Sequence, residues 1–383
     1  MMVRSACEEA EEFRDHVARW VDERLVPVAQ DIDEEGDFQH ALTRELAGLG
    51  YIGTLYPAET GGAGLENPNL CFAILCEELA RGSMGFAAGI CMQGSTATYT
   101  IQEWGNAHLR ETYLLPALRG EKIGAFAITE PNAGSDAGSL RTRATRVDGG
   151  WVLRGSKMFT TNGTVADFIT VVASVDPDKG ARALEMFVVD TKSEGFRVGQ
   201  KLDKFSVRSS DTAELVFDDV FVPDDHALSS ETGSGFLNAY RSLTVDRIFT
   251  AALAVGNARS AYDAALRHSR ERSQFGRPVG NFQAIQFRLV DIHARITTAA
   301  LHTYHAAQMA DKGQEITIEA AAAKLVAGEE CHRACHEAMS VFGGYGLMRE
   351  YPAQVHLRDS YFPMIGGGTN DIMRKVIAGQ LGL

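Results

Sequence analysis

Several features are scarce in this chain, and each shortage removes a class of protein. Its six cysteines, Cys7, Cys71, Cys76, Cys91, Cys331 and Cys335, form no C-x-x-C pair, and six in 383 residues is too sparse for a disulfide framework. No apolar run approaches the roughly 18 residues that a membrane span needs. Positive charge is in deficit, with 37 basic against 50 acidic side chains and a formal net charge of −13. A general nucleic-acid binder needs a basic surface, so that class is excluded. Lysine is rare: 28 of the cations are Arg and 9 are Lys, a weak pointer to a GC-rich bacterial genome. The start, MMVRSACEEAEEFRDHV, carries acids where a secretory leader has an apolar stretch and a transit peptide avoids acids. The expected location is therefore a reducing, cytoplasmic compartment.

What is present is ordinary globular material, 45% hydrophobic and 23% charged, enough for a large core and two or three domains. Residues 1–122 read as successive helices, with apolar residues at 3–4 spacing in FRDHVARWVDERLVPVAQDI and ALTRELAGLGYIGTL. The segment HLRETYLLPALRGE adds a short helix ending at Gly120. From 123 to 232 the period falls to 2, and six runs read as strands: GAFAITE, GWVLRGSKMFTT, DFITVVASV, ALEMFVVDT, GFRVGQKLD and TAELVFDDVFVP. From 233 to 383 long helical periodicity returns. The layout is an α+β multidomain chain, helices then strands then helices, without internal repeats.

Four segments carry candidate chemistry. AITEPNAGSD (127–136) is a strand end followed by a loop of small residues, which offers backbone N–H groups and hydroxyls to a flat polar ligand or equally makes an ordinary turn. GSKMFTTNG (155–163) reads on its own as a hairpin, given Asn-Gly. RERSQFGRPVGNFQAIQF (270–287) reads on its own as a solvated helix end capped by Gly276. VFGGYGLMREYPAQVHLRDSYFPMIGGGTNDIMR (341–374) is rich in glycine. CHRACH (331–336) has the look of a ligand cluster, but its spacing reads as helix packing, and no metal site is expected.

In this order and at these separations the four segments resemble the acyl-CoA dehydrogenase family of flavoproteins, over essentially the whole chain. PAETGGAG and RSSDTAELVFDDVFVP add to the match. The resemblance implies an N-terminal helical domain, a middle β-barrel-like domain and a C-terminal four-helix-bundle domain. It implies FAD as cofactor, an acyl-CoA or acyl-carrier-protein thioester as substrate, an electron-transfer flavoprotein or similar acceptor, and a homotetramer or homodimer working in fatty-acid-type metabolism. Phe126, Ile128 and Thr129 would line the flavin, with Thr129 on its pyrimidine side. Gly134 and Ser135 would meet flavin phosphate, and Ser135 also the thioester arm. Phe159 would cover one flavin face, and Thr161 would lie near N5. Hydrogen bonds to a reduced flavin raise its oxidising power. Arg272, Gln274, Phe275 and Gln283 would reach the adenine and diphosphate of a neighbouring subunit's flavin, where the planar fork of Arg suits phosphate. Gly343, Gly344 and Gly346 would allow close backbone approach, and Thr369 and Asp371 would complete the cofactor set. Ser340 departs from the family pattern, which has Gln two residues before Phe-Gly-Gly. Arg208, in FSVRSSD, would meet a substrate phosphate or pair with Asp211.

The usual family base is also missing. Removing the proton alpha to a thioester needs a general base on the side of the substrate opposite the flavin. Many members place a Glu just before the Gly-Thr near the C-terminus, where this chain has Gly367 in IGGGTND. A second family solution puts the Glu directly before an Arg on the first helix of the C-terminal domain, and the matching pair here is Asp246-Arg247. Asp246 is the expected base, with Arg247, Gly367 and Gly368 beside the substrate. Asp is about 1.5 Å shorter in reach than Glu, so desaturation beyond the alpha,beta position, or a branched acyl group, stays open. Two rivals accompany this reading: an oxygen-using flavin hydroxylase or oxidase on the same fold, and a flavin-free relative that has lost its base.

Overall fold

A computed structural model describes residues 7–228 and 234–383. The boundary expected at 232/233 falls outside them. Helices come first, and Pro68–Gly82, Met84–Gly94 and Thr96–Trp104 form the part buried against the rest of the molecule. Pro68 opens its helix at the position where a missing N–H costs nothing. The short helix ahead of Gly120 is present, and Gly120 ends it at φ 70.

The middle sheet has seven strands, β1 Gly124–Ala127, β2 Arg143–Val147, β3 Gly150–Thr161, β4 Phe168–Ser174, β5 Leu184–Asp190, β6 Phe196–Lys201 and β7 Thr212–Pro223. The order is β1-β4-β2-β3-β7-β6, with β5 on β4, in a half-barrel whose interior is filled by Leu153, Ile169, Val171, Phe187, Leu215 and Phe217. β1 runs parallel to β4, and β3 runs antiparallel to β2 and β7. β2 is the strand that the six sequence runs lack. Only Ala144 of RATRV is buried, so it shows no apolar alternation. The hairpin at Asn162–Gly163 is a correction: Asn162 takes φ 63 in a turn, but β3 does not pair with β4. The tight hairpin of the sheet is β2–β3, joined at Asp148–Gly149 with Gly149 at φ 75.

The C-terminal part packs Gly235–Glu271, Gln283–Asp311, Thr317–Phe342 and Asn370–Gln380 together. Gly235–Glu271, 37 residues and about 55 Å long, is the spine. It lies directly on Pro68–Gly82. Phe72 meets Phe249 edge-on at 4.6 Å, and a Cβ on Gly256 would fall 2.0 Å from the Glu77 carbonyl oxygen. That approach is possible only for glycine. Beside it lies a buried ion network. Arg14 donates to Glu77 (3.2 Å), Glu78 (2.9 Å) and the Tyr304 hydroxyl (2.6 Å), and Arg259 pairs with both glutamates. One network therefore joins four helices from the two ends of the chain.

Candidate functional site

The expected site residues fall into three groups, each built at a break in regular structure. The first lies where β1 ends. Ile128 and Thr129 run on beside β3, and the Met158 N–H donates to Thr129 O at 2.8 Å. Lys157, wholly buried, donates to Ile128 O and to Glu130 Oε1, both at 2.9 Å. Glu130 also accepts the N–H groups of Arg141 (2.7 Å) and Thr142 (2.8 Å). Burial pushes the Lys157 ammonium down to about 8 against the pull of Glu130. Burial favours the neutral form of Glu130 too, but Lys157 and the N–H donors hold it below the usual carboxylate range. Sequence reasoning missed this pair, although a Lys at an inward position of a strand was the signal for it. Just past Lys157 the β3–β7 register shifts, and the bulge throws Phe159 outward at φ 58 with 67% of its surface exposed. A bulky residue at positive φ costs about 1–3 kcal/mol and marks a constrained functional position. Thr161 closes β3, Phe126 is buried within β1, and Gly134 and Ser135 sit exposed in the loop.

The second group surrounds a two-residue hairpin. The long helix ends at Glu271 with Arg272 as its cap, so Gly276 is not the helix cap; Ser273–Gln274 pairs with Arg277–Pro278 instead. Phe275 (φ 52) and Gly276 (φ 77) make the turn, the pattern of a type I′ hairpin. Phe275 is 93% exposed. The Arg272 guanidinium lies 5.2 Å from the Tyr345 ring centre, which brings Gly343 and Gly344 to the same region. A Cβ on either glycine would meet nothing within 4 Å, so open space lies before them. Gln283 is exposed at the start of the next helix. The Ser340 hydroxyl turns back onto His336 O at 3.1 Å.

The third group is the most informative. Asp246 and Arg247 lie on the spine helix, facing the loop Gly366–Gly368. Asp246 Oδ1 accepts from Thr96 (3.0 Å), Ser95 (3.2 Å) and the Cys91 thiol (3.7 Å), and Oδ2 receives the Thr250 hydroxyl at 3.5 Å. Burial raises the Asp246 carboxyl above its ordinary range, while Thr96, Ser95, Cys91 and Arg247 pull against it. Gly367 has φ 65, and a Cβ there would lie 3.7 Å from Asp246 Oδ2 and 3.3 Å from Thr250 Oγ1. The two positions expected to carry a base thus point into one volume, and one carboxylate is in it. Lys324, fully buried, donates to Gly368 O and to Asn370 Oδ1 (3.3 Å), which holds the glycine loop in place. Burial and Arg247 push Lys324 down to about 7. Arg247 is buried, with Nη1 3.4 Å from Thr244 Oγ1 and its guanidinium over Tyr240. Thr369 caps the last helix by accepting from the Ile372 N–H (3.3 Å), and Asp371 pairs with Arg374 (3.1 Å). The cradle of Ser95, Thr96 and Cys91 and the strut Lys324 were missed. The polar run QGSTATYT in an otherwise apolar helical stretch was the available signal for the cradle.

Arg208 does not pair with Asp211. It donates to the backbone oxygens of Asp33 (3.0 Å) and Glu34 (3.4 Å) and to Asp203 (3.3 Å), while Asp211 holds Thr164. CHRACH packs as helix: Cys331 and Cys335 are buried, His332 bonds Ser360 at 2.8 Å, and the described residues hold no cluster of three His, Cys, Asp or Glu fit for a metal.

Family models match the chain end to end: acyl-CoA dehydrogenase N-terminal domain over 7–121, middle domain over 125–220 and C-terminal domain over 233–382. The chain belongs to the acyl-CoA dehydrogenase family. It is 44% identical, over 98% of both chains, to benzylmalonyl-CoA dehydrogenase of Aromatoleum aromaticum. It superposes on butyryl-CoA dehydrogenase of Megasphaera elsdenii with a TM-score of 0.96 at 36% identity, covering all of both chains. It also superposes on PigA, solved with FAD and proline, with a TM-score of 0.94 at 28% identity over all of both chains. Like its family, it is an acyl-thioester oxidoreductase acting on CH–CH bonds, with FAD as cofactor. The first group of residues is compatible with that cofactor: Phe159 presents an exposed ring at positive φ, two residues before Thr161 and next to the Met158–Thr129 backbone pairing. Among the described residues no helix is long and apolar enough to cross a membrane.

Proposed function

We propose that this acyl-CoA dehydrogenase uses Asp246 as its general base to desaturate an acyl thioester at the alpha,beta bond. The observation that carries the reading is the 3.7 Å between Asp246 Oδ2 and the Cβ position of Gly367, which supports the spine helix as the source of the one carboxylate. Bound FAD supplies an acceptor for the hydride that leaves the beta carbon. Phe159 would cover one face of its ring, and Thr129 and Thr161 would donate to its edge, with Phe126, Ile128, Gly134 and Ser135 around them. Arg272, Gln274, Phe275, Gln283, Gly343 and Gly344 would hold the distal half of a neighbour's cofactor, with Thr369 and Asp371 nearby. A strained aromatic exposed as fully as Phe275 gains most from such a neighbour, which favours an oligomer. Arg247, Gly367 and Gly368 would border the acyl group, and Arg208 with Ser135 the carrier arm. The carrier is CoA or an acyl carrier protein, the electron acceptor an electron-transfer flavoprotein or its like, and the compartment cytoplasmic.

Asp246 takes the alpha proton only as a carboxylate. Its raised pKa makes it a stronger base than a free aspartate, at the cost of activity in acid. The small glycine loop leaves room for a substituted acyl group, and a benzylmalonyl thioester, named for the 44% identical relative, belongs in any substrate panel with butyryl-CoA. The test is anaerobic mixing with that panel while flavin absorbance is followed. Bleaching is expected with at least one thioester, and Asp246→Asn should slow it by about 10²–10⁴-fold. An Asp246→Asn enzyme that bleaches at the wild-type rate would remove Asp246 from the role.

A further inference from the structure

The two oxygens of Asp246 are not equivalent. Thr96 opens the helix Thr96–Trp104 immediately after a break at Ser95, whose backbone sits at φ −120, ψ −100. The break turns the Thr96 hydroxyl inward, where it is buried and 3.0 Å from Asp246 Oδ1. Ser95 also approaches Oδ1, at 3.2 Å, but a hydroxyl has one proton and Ser95 has a closer acceptor, the Cys91 carbonyl at 2.6 Å. The Cys91 thiol at 3.7 Å is a weak donor. Oδ1 therefore has one good donor, Thr96. Among the described residues Oδ2 has a single donor, Thr250 at 3.5 Å, the outer limit of a hydrogen bond, and it faces the side of Gly367 from which a Cβ would project.

We propose that Thr96 is a positioning residue for the base, pinning Asp246 Oδ1 so that Oδ2 is the oxygen that takes the alpha proton. This rests on Asp246 being the base. The step is balanced. The alpha C–H bond breaks and its proton goes to Oδ2. The electron pair left behind becomes the second bond between the alpha and beta carbons, and the beta hydrogen departs with its own pair as hydride to FAD. Asp is short for this work, and a side chain with one carbon fewer than Glu has fewer rotamers in which an oxygen meets the alpha carbon. A fixed Oδ1 removes the rotation that would aim both oxygens away from it.

The hydrogen bond also sets the pH at which the base works, because it favours the charged carboxylate. The other charged or titratable groups facing Asp246 are Arg247 on its own helix, Lys324 from Thr317–Phe342, and Cys91 backed by Cys76. Lys324 titrates in the neighbourhood, so the measurement has to isolate the carboxyl. Infrared pH titration of the FAD-loaded enzyme, with the Asp246→Asn spectrum subtracted, follows the protonated-carboxyl stretch of Asp246 alone. Thr96→Val should move its midpoint up by about 1–2 pH units, the equivalent of one hydrogen bond to a charged group. Thr96→Ser should restore the wild-type midpoint. The acid limb of flavin reduction, with butyryl-CoA or benzylmalonyl-CoA as probe, should move by the same amount, and kcat should fall more than KM changes. If Thr96→Val does not fold, Thr96→Ala serves the same comparison. A midpoint unmoved in the folded Val or Ala variant overturns the proposal while leaving Asp246 as the base. An Asp246→Asn enzyme with a wild-type reduction rate overturns the base itself, whatever the titration shows.

Discussion

Gly367→Ala is a small change with two calculable effects. The residue sits at φ 65, where an L side chain costs about 1–2 kcal/mol. Its new methyl would lie 3.3 Å from Thr250 Oγ1, closer than most real Cβ contacts, and 3.7 Å from Asp246 Oδ2. Thr250 is buried in the spine helix, and the loop is held from behind by Lys324 on Gly368 O, so neither side yields freely. The expected relief is a shift of a few tenths of an ångström at Asp246. Misplacing a catalytic group by a full ångström costs about 10²-fold, so a loss of roughly 3- to 10-fold in flavin reduction is the scale to look for. Thermal unfolding should drop by about 1–2.5 °C, because about 1–2 kcal/mol of strain acts against an unfolding entropy of about 0.8 kcal/mol/K for a chain of this length. Gly379→Ala is the control: it lies in the last helix, meets nothing within 4 Å and has no positive φ, so it should stabilise slightly. Stopped-flow reduction and calorimetry read both effects. A Gly367→Ala enzyme with unchanged melting and unchanged rate would refute both the left-handed loop and its contact with the base.

Lys157→Met should destabilise by about 3–5 kcal/mol in urea unfolding, because it strands Glu130 in a buried site, and Lys157→Met with Glu130→Gln should recover much of the loss. A double variant no more stable than the single one would contradict the pairing. His356 is buried and pushed down to about 4; the Asn257 amide, oriented by donating to His356 O (2.8 Å), presents Oδ1 to its Nδ1 (2.9 Å). The native state resists a proton that the unfolded chain takes up near 6.5, so this histidine's contribution is full above about 6.5 and is lost as pH falls toward 4, by about 3 kcal/mol in total. Unfolding of wild type and His356→Gln at pH 7 and pH 5 should show the gap between them narrowing in acid, and a constant gap would contradict it.

The three-part order of helices, strands and helices was legible because each part holds one hydrophobic period for long stretches. β2 was not legible, because one face carries Arg143, Thr145 and Val147 and the other Ala144 and Arg146, with only the alanine buried. The Asn162 turn misled because an Asn-Gly pair specifies a local conformation, not which strand comes next to it. Asp246-Arg247 was singled out as a candidate by resemblance, since an Asp-Arg dipeptide on a helix says nothing alone. Thr96 and Lys324 were missed for a different reason. One is a hydroxyl whose use depends on a helix break 150 residues from its partner. The other is a lysine among small residues, AAAAKLVAG, on the buried face of a helix where a cation is not expected.

The buried Arg14 network has a consequence for how the molecule comes to exist. Arg14 leaves the ribosome early, yet the Tyr304 hydroxyl it binds is 290 residues downstream, and Arg259, which shares its two glutamates, arrives almost as late. A guanidinium cannot be sealed from water without its partners. The helix Glu8–Trp20 can pair with Glu77 and Glu78 early, but it completes this network only when nearly four-fifths of the chain has been made. A helix among the first to be synthesised is thus among the later ones to complete its contacts, and a fragment ending before the spine helix would lack both Arg259 and Tyr304 from the seal.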